Sequence, residues 1–206
     1  MRRLWAVLLG VTLTVAVSVG ADETSQVADL YRTSYQAEAR GDYVGALARM
    51  REIAGKTGSS YFVQVRMAWL SYAGGDSVAS ERLYREASAS APKSVESRIG
   101  LTLPLMALQK WRDLERACRD VLSLDAGHAI ARARLAHALY ALGNYPDAAT
   151  QYRKLVEDYP ADLDHQTGLG WALLRMGRRA EARQMFAAVL AVSPDNANAK
   201  TGMAAP

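Results

Sequence analysis

The chain has 206 residues, half of them apolar and 22% charged, with a formal net charge of +4. That balance belongs to a globular chain of one or two domains and excludes a disordered tail. A single cysteine excludes an internal disulfide framework and a thiolate-rich zinc site, and three histidines leave little for catalysis or metal binding.

The first 21 residues differ from the rest. Arg2 and Arg3 precede an apolar run from Leu4 to Val17, and Val19-Gly20-Ala21 offers small or tolerated residues at a cleavage position. These features predict a secretory signal peptide over 1–21, hence a periplasmic or secreted protein of a bacterial envelope. The alternative is an uncleaved membrane anchor, against which stands an apolar run short of the ~20 residues that span a bilayer. Loss of Arg2 and Arg3 on cleavage would lower the charge of +4 by two. The remaining basic residues, mostly arginine, are scattered. Nucleic-acid binding needs a basic stripe, so no such partner is expected.

From Val27 to Asn196 the chain repeats. Gly41-Asp42-Tyr43 and Gly75-Asp76-Ser77 lie 34 residues apart, as do Gly143-Asn144-Tyr145 and Gly177-Arg178-Arg179. Gln109-Lys110-Trp111 occupies the slot between the two pairs, and Pro92, Pro160 and Pro194 hold a second phase of the same lattice, with Ala126 in the skipped place. The spacing predicts five units, 27–60, 61–94, 95–128, 129–162 and 163–196, then a short capping segment over 197–206.

Each unit reads as two helices. In the fourth, Leu135, Leu139 and Leu142 recur at helical spacing and stop at Gly143, a residue that takes the left-handed conformation cheaply. Pro146 opens a second helix, which carries Ala149, Tyr152, Leu155 and Val156 to a stop before Pro160. Two close antiparallel helices need small residues where their backbones approach. First helices supply Ser34, Ala68, Thr102, Ala136 and Gly170; second helices supply Ala46, Ser80, Ala148 and Ala182, with Leu114 the exception. Four residues later comes a bulky position, Met50, Tyr84, Tyr152 or Phe186, where Cys118 is the small member and is expected to be buried rather than reactive. Unit three lacks the turn glycine and the terminal proline and places Pro104 inside its first helix. Two readings stand there: a kink at 100–104, or a proline absorbed by its neighbours. At the far end Phe186, Val189 and Leu190 need a cover, and Ala197–Ala204 supply about two helical turns. That shortness hints at a partner or at self-association.

This order of small, Gly, Tyr, Ala, aromatic and Pro positions resembles the tetratricopeptide repeat family, most closely in unit four. The resemblance implies an all-α fold, a right-handed α-solenoid of antiparallel helix pairs with first helices lining a concave groove. The ligand-facing positions of that family fall here on Tyr35 in unit one and on Phe62, Arg66, Trp69 and Tyr72 in unit two. They fall on Arg134, His137 and Tyr140 in unit four, and on Trp171 and Arg175 in unit five. With two Phe, four Trp and ten Tyr in the whole chain, this set concentrates its rings, and aromatic and Arg residues dominate interface hot spots.

The role implied is a non-enzymatic scaffold that holds a peptide or helix of a protein partner in the groove. Trp69, Tyr72, Tyr140 and Trp171 would be anchors, with Arg66, Arg134 and Arg175 meeting acidic groups; the alternative is that several rings pack as core. A self-assembling protein that stacks through its superhelix ends is the alternative function. Some relatives clamp a C-terminal carboxylate with Lys, Arg and Asn, but Asn144, Asn196 and Asn198 are the only asparagines and none is expected on a first helix. His128, Asp162, Asp164 and His165 read as unit ends and helix starts rather than metal ligands. No hydrolase triad spacing, P-loop or dinucleotide fingerprint occurs, so no catalytic residue, cofactor or metal is expected.

Overall fold

The computed structural model describes residues 23–206; the expected signal peptide lies outside the described residues. Among those described there are eleven helices and no strand. They divide into two compact units, one ending at Ser90 and one running from Ala91 to Pro206. The first holds α1 (23–39), α2 (Tyr43–Thr57), α3 (Tyr61–Ala73) and α4 (Ser77–Ser90). The second holds α5 (Val95–Ala107), α6 (Trp111–Leu124), α7 (Ala129–Ala141), α8 (Tyr145–Asp158), α9 (Leu163–Arg175), α10 (Arg179–Val192) and α11 (Ala197–Ala204). Within each unit, helices adjacent in sequence pack against each other.

Backbone geometry explains the period. Gly41, Gly75, Gly143 and Gly177 turn the chain between paired helices with φ of 76° to 89°, and Gln109 takes the same place at φ 54°. A side chain in that region costs roughly 1 kcal/mol, which four of the five turns avoid by using glycine. The next residue caps the second helix: Asp42, Asp76 and Asn144 accept from the N–H groups of Gly45, Ala79 and Asp147. Ser60, Ser94, His128, Asp162 and Asn196 likewise cap first helices, each 34 residues after the last. Caps of this kind contribute about 1 kcal/mol each. His128 and Asp162 therefore have a structural use, and Asn196 starts α11 in the register of a first helix.

The small positions sit where helices touch. Ser34, Ala46, Ala68, Ser80, Thr102, Ala136, Ala148 and Ala182 are fully buried, and the Ser34 hydroxyl donates to the Ala46 carbonyl oxygen at 3.0 Å. Met50, Tyr84, Cys118 and Phe186 of the bulky series are buried too. Burial pushes the Cys118 thiol up to about 12, against a smaller opposing pull from Arg134, so it stays protonated. Phe186 fills the space between α9 and α11: a Cβ on Gly170 would lie 2.6 Å from its ring, and one on Gly202 would also collide with it. The short α11 packs on α9 and α10 and leaves Phe186 and Val189 inaccessible.

Pro104 is buried in α5, which runs through it unbroken to Ala107. Proline has no N–H to give, so a single carbonyl, that of Gly100, loses its usual donor. The Pro104 carbonyl itself accepts from the Leu108 N–H at 2.9 Å. No helix of the described residues is long and apolar enough to cross a membrane.

Candidate partner-binding faces

In the first unit, α1 and α3 lie side by side and bring together most of the residues expected there. Arg66 stacks over the Tyr35 ring at 4.6 Å and donates to Glu38 Oε2 at 2.5 Å. Trp69 Nε1 donates to the other carboxylate oxygen of Glu38 at 2.9 Å, and its ring lies 6.1 Å from that of Tyr72. The Arg66 hydrogen bond holds the Glu38 carboxyl below the usual carboxylate range; burial opposes it and the Trp69 N–H assists. The charge of Arg66, expected to await an acidic partner, is thus already matched inside the chain. Tyr35 and Phe62 stay about half exposed, Phe62 with its ring 5.9 Å from Tyr31.

In the second unit, α9 has α7 on one side and α11 on the other. Between them lies a cleft of about 710 Å³. His137 and Tyr140 of α7 form one wall and Asn198 of α11 the other; Thr167, Gly168 and Trp171 of α9 form the floor, with Asp164 and Tyr152 completing the lining. A Cβ at Gly168 would lie 2.5 Å from Tyr152 Cε1, so only glycine lets that ring rest on the α9 backbone. Burial, then the neighbouring Tyr140 and Asp164, pushes the Tyr152 hydroxyl up to about 12, which keeps it a neutral donor. Around the rim, Trp171 meets Phe186 edge-on at 5.6 Å, Tyr140 meets Tyr145 at 5.3 Å, and His137 lies 5.4 Å from Trp111.

The other two arginines are also engaged. Arg175 stacks on the Tyr145 ring at 4.7 Å. Arg134 donates to the Ile99 carbonyl oxygen at 3.1 Å and to Thr102 Oγ1, which pins α7 to the α5 segment just before Pro104.

Sequence reasoning missed Glu38, Tyr152, Asp164, Thr167, Gly168 and Asn198. The repeat phase carried a signal for four of them: Glu38 is in register with Tyr72 and Tyr140, Asp164 and Asn198 with Phe62, and Gly168 with Arg66 and Arg134. The expectation that no asparagine sits on a first helix is corrected by Asn198, because α11 has a first helix's cap and register. Among the described residues no three His, Cys, Asp or Glu side chains converge as a metal site would require.

A tetratricopeptide repeat model matches residues 105–171 and 142–205. No curated protein matches the sequence. A tetratricopeptide repeat protein from Parabacteroides merdae is similar in structure, at 16% identity and TM-score 0.80, over 87% of this chain and 71% of that one. The protein MamA is similar at 16% identity and TM-score 0.74, over 80% of this chain and 90% of that one. MamA of Desulfovibrio magneticus RS-1, from residue 41 to its end, gives 17% identity and TM-score 0.76, over 83% and 97%. At such identities the likeness is one of fold.

Proposed function

The chain belongs to the tetratricopeptide repeat family, and from that premise we propose that it is a non-enzymatic interaction scaffold of a bacterial envelope, holding a peptide or helix of a protein partner against its first helices. The observation that carries this reading is the α9 cleft, whose volume lies in the range of about 300–1,000 Å³ typical of ligand sites and which exposes rings at a solvent-open surface. Rings in such a setting are what interface hot spots are made of. Envelope placement rests on the composition of residues 1–21 alone, and comparing the mass of the native protein with that expected after loss of those residues tests it.

An affinity pull-down from envelope extract, run with the parent chain and with a Tyr140→Ala/Trp171→Ala variant, tests the groove. A partner held by the parent and lost by a variant of unchanged helical content supports it; a partner held equally by both places the contact elsewhere and sinks it. The self-assembly reading has one observation behind it, Val192 left 74% exposed at the C-terminal end. Against it, α11 already covers Phe186 and Val189. A constant monomeric mass by light scattering across a wide concentration range would rule it out.

A further inference from the structure

We propose that the α9 cleft receives a cationic side chain, lysine or arginine, from an extended segment of the partner, seated among Tyr140, Tyr152 and Trp171 with Asp164 as its counter-charge. This rests on the reading of the cleft as a partner groove and gives that groove a chemistry.

Three observations carry it. The first is charge: Asp164 is the one acidic group lining the cleft, no lysine or arginine lines it, and its carboxylate makes no hydrogen bond or ion pair among the described residues. The second is the company of that carboxylate. Three aromatic rings line the same space, and ring faces attract a cation, the more so the drier the site.

The third comes from the first unit, where an analogous space is already filled. Three repeats before Gly168 stands Arg66, and three repeats before Trp171 stands Trp69. There the guanidinium lies over a tyrosine ring, pairs with a carboxylate, and shares that carboxylate with the tryptophan N–H. At Gly168 the chain supplies no guanidinium of its own, while the tryptophan and a nearby carboxylate remain. The cleft is thus an aromatic and acidic setting without its cation. Its volume of about 710 Å³ is far more than one ammonium group needs, which favours a side chain delivered on a peptide over a free small cation.

The test is a selection of random peptides displayed on phage against the full chain, followed by affinities of the selected peptides for the parent and for Asp164→Asn, Trp171→Ala and Tyr140→Ala. Asp162 rather than Asp164 caps α9, so Asp164→Asn should keep its circular dichroism spectrum. The expected result is a shared lysine or arginine whose replacement by norleucine weakens binding about tenfold, and a loss of at least about fivefold for Asp164→Asn that shrinks as salt is added. Selected peptides without a cation, or cationic ones that ignore Asp164→Asn yet need Trp171 or Tyr140, would overturn the cationic occupant and leave the groove reading intact. No selected peptide at all, or peptides indifferent to every one of the three substitutions, would overturn both. Tetramethylammonium that competes at the same concentration as the peptide would assign the cleft to a small cation and overturn the peptide source.

Discussion

One repeat position takes opposite forms in the two units. In the first it is Arg66, whose long side chain crosses to α1 and closes the space between neighbouring first helices with an ion pair and a stacked ring. Within the second unit it is Gly100, then Arg134, which crosses to α5 and hydrogen-bonds the Ile99 carbonyl and Thr102, and then Gly168, which crosses to nothing. At Gly168 and Gly202 a ring of the preceding second helix moves in instead: Tyr152 against the first, Phe186 against the second. A repeat fold keeps its backbone while a single position decides whether the seam between neighbouring first helices is closed by an arginine, packed by a ring, or left open as a cleft.

The comparison can be broken most severely at Phe186. Phe186→Ala empties a fully buried site between two glycines that cannot reach inward to fill it, and a loss of about 3–5 kcal/mol is expected from denaturant unfolding. Next is Glu38→Gln, which removes the charge that Arg66 and Trp69 share and leaves a guanidinium under-matched; about 1–2 kcal/mol is expected. The effect has a pH signature. Folded Glu38 titrates below an ordinary glutamate at about 4.3, so its contribution is fully present above that pH and is lost as pH falls through the depressed value. Parent and variant should therefore converge in stability in acid, and a gap that persists undiminished at low pH would show that the carboxylate charge is not its source.

Gly168→Ala sharpens the contrast. Alanine gains about 1 kcal/mol of helix propensity, but its Cβ would drive the Tyr152 ring off α9, a displacement costing roughly 1–3 kcal/mol. A small net loss in thermal midpoint is expected, together with loss of peptide binding at the cleft. An alanine variant as stable and as active as the parent would mean that the ring is not seated by the glycine. The smallest effect belongs to Ser80→Ala. The Ser80 hydroxyl is buried without a hydrogen-bond partner at a place where Ala46, Ala148 and Ala182 stand in other units, so the change should stabilise by up to about 1 kcal/mol.

The fold was legible because its determinants are local. Gly41, Gly75, Gly143 and Gly177 announce their turns through φ, and Ser60, Asp162 and Asn196 cap helices that begin at the next residue. Even Gln109, with no glycine to mark it, follows the others because the paired helices on either side dictate the turn. The site was only half legible. Tyr140 and Trp171 declare themselves by residue type and phase, but whether Arg66 faces a partner or is matched internally depends on Glu38, 28 residues earlier and on another helix. Tyr152 reads as a core ring by every pattern in the sequence, and only the absent side chain at Gly168 turns it into cleft lining. Pro104 was open in the other direction: its residue type alone admits a kink or an absorbed proline, and α5 runs through it to Ala107.

The pair α5–α6 gathers the chain's local compromises: a left-handed glutamine at its turn, a second helix whose cap position Lys110 makes no side-chain capping bond, and a proline in its first helix. Stability in a linear array is a sum over units and their neighbours, and arrays ordinarily fray from the ends inward. With these compromises gathered midway along the sequence, the chain has a second place to start. Amide hydrogens of α5 and α6 should exchange ahead of those in α7 and α8, and a protease should first cut the chain near the middle, releasing two fragments rather than trimming its tips.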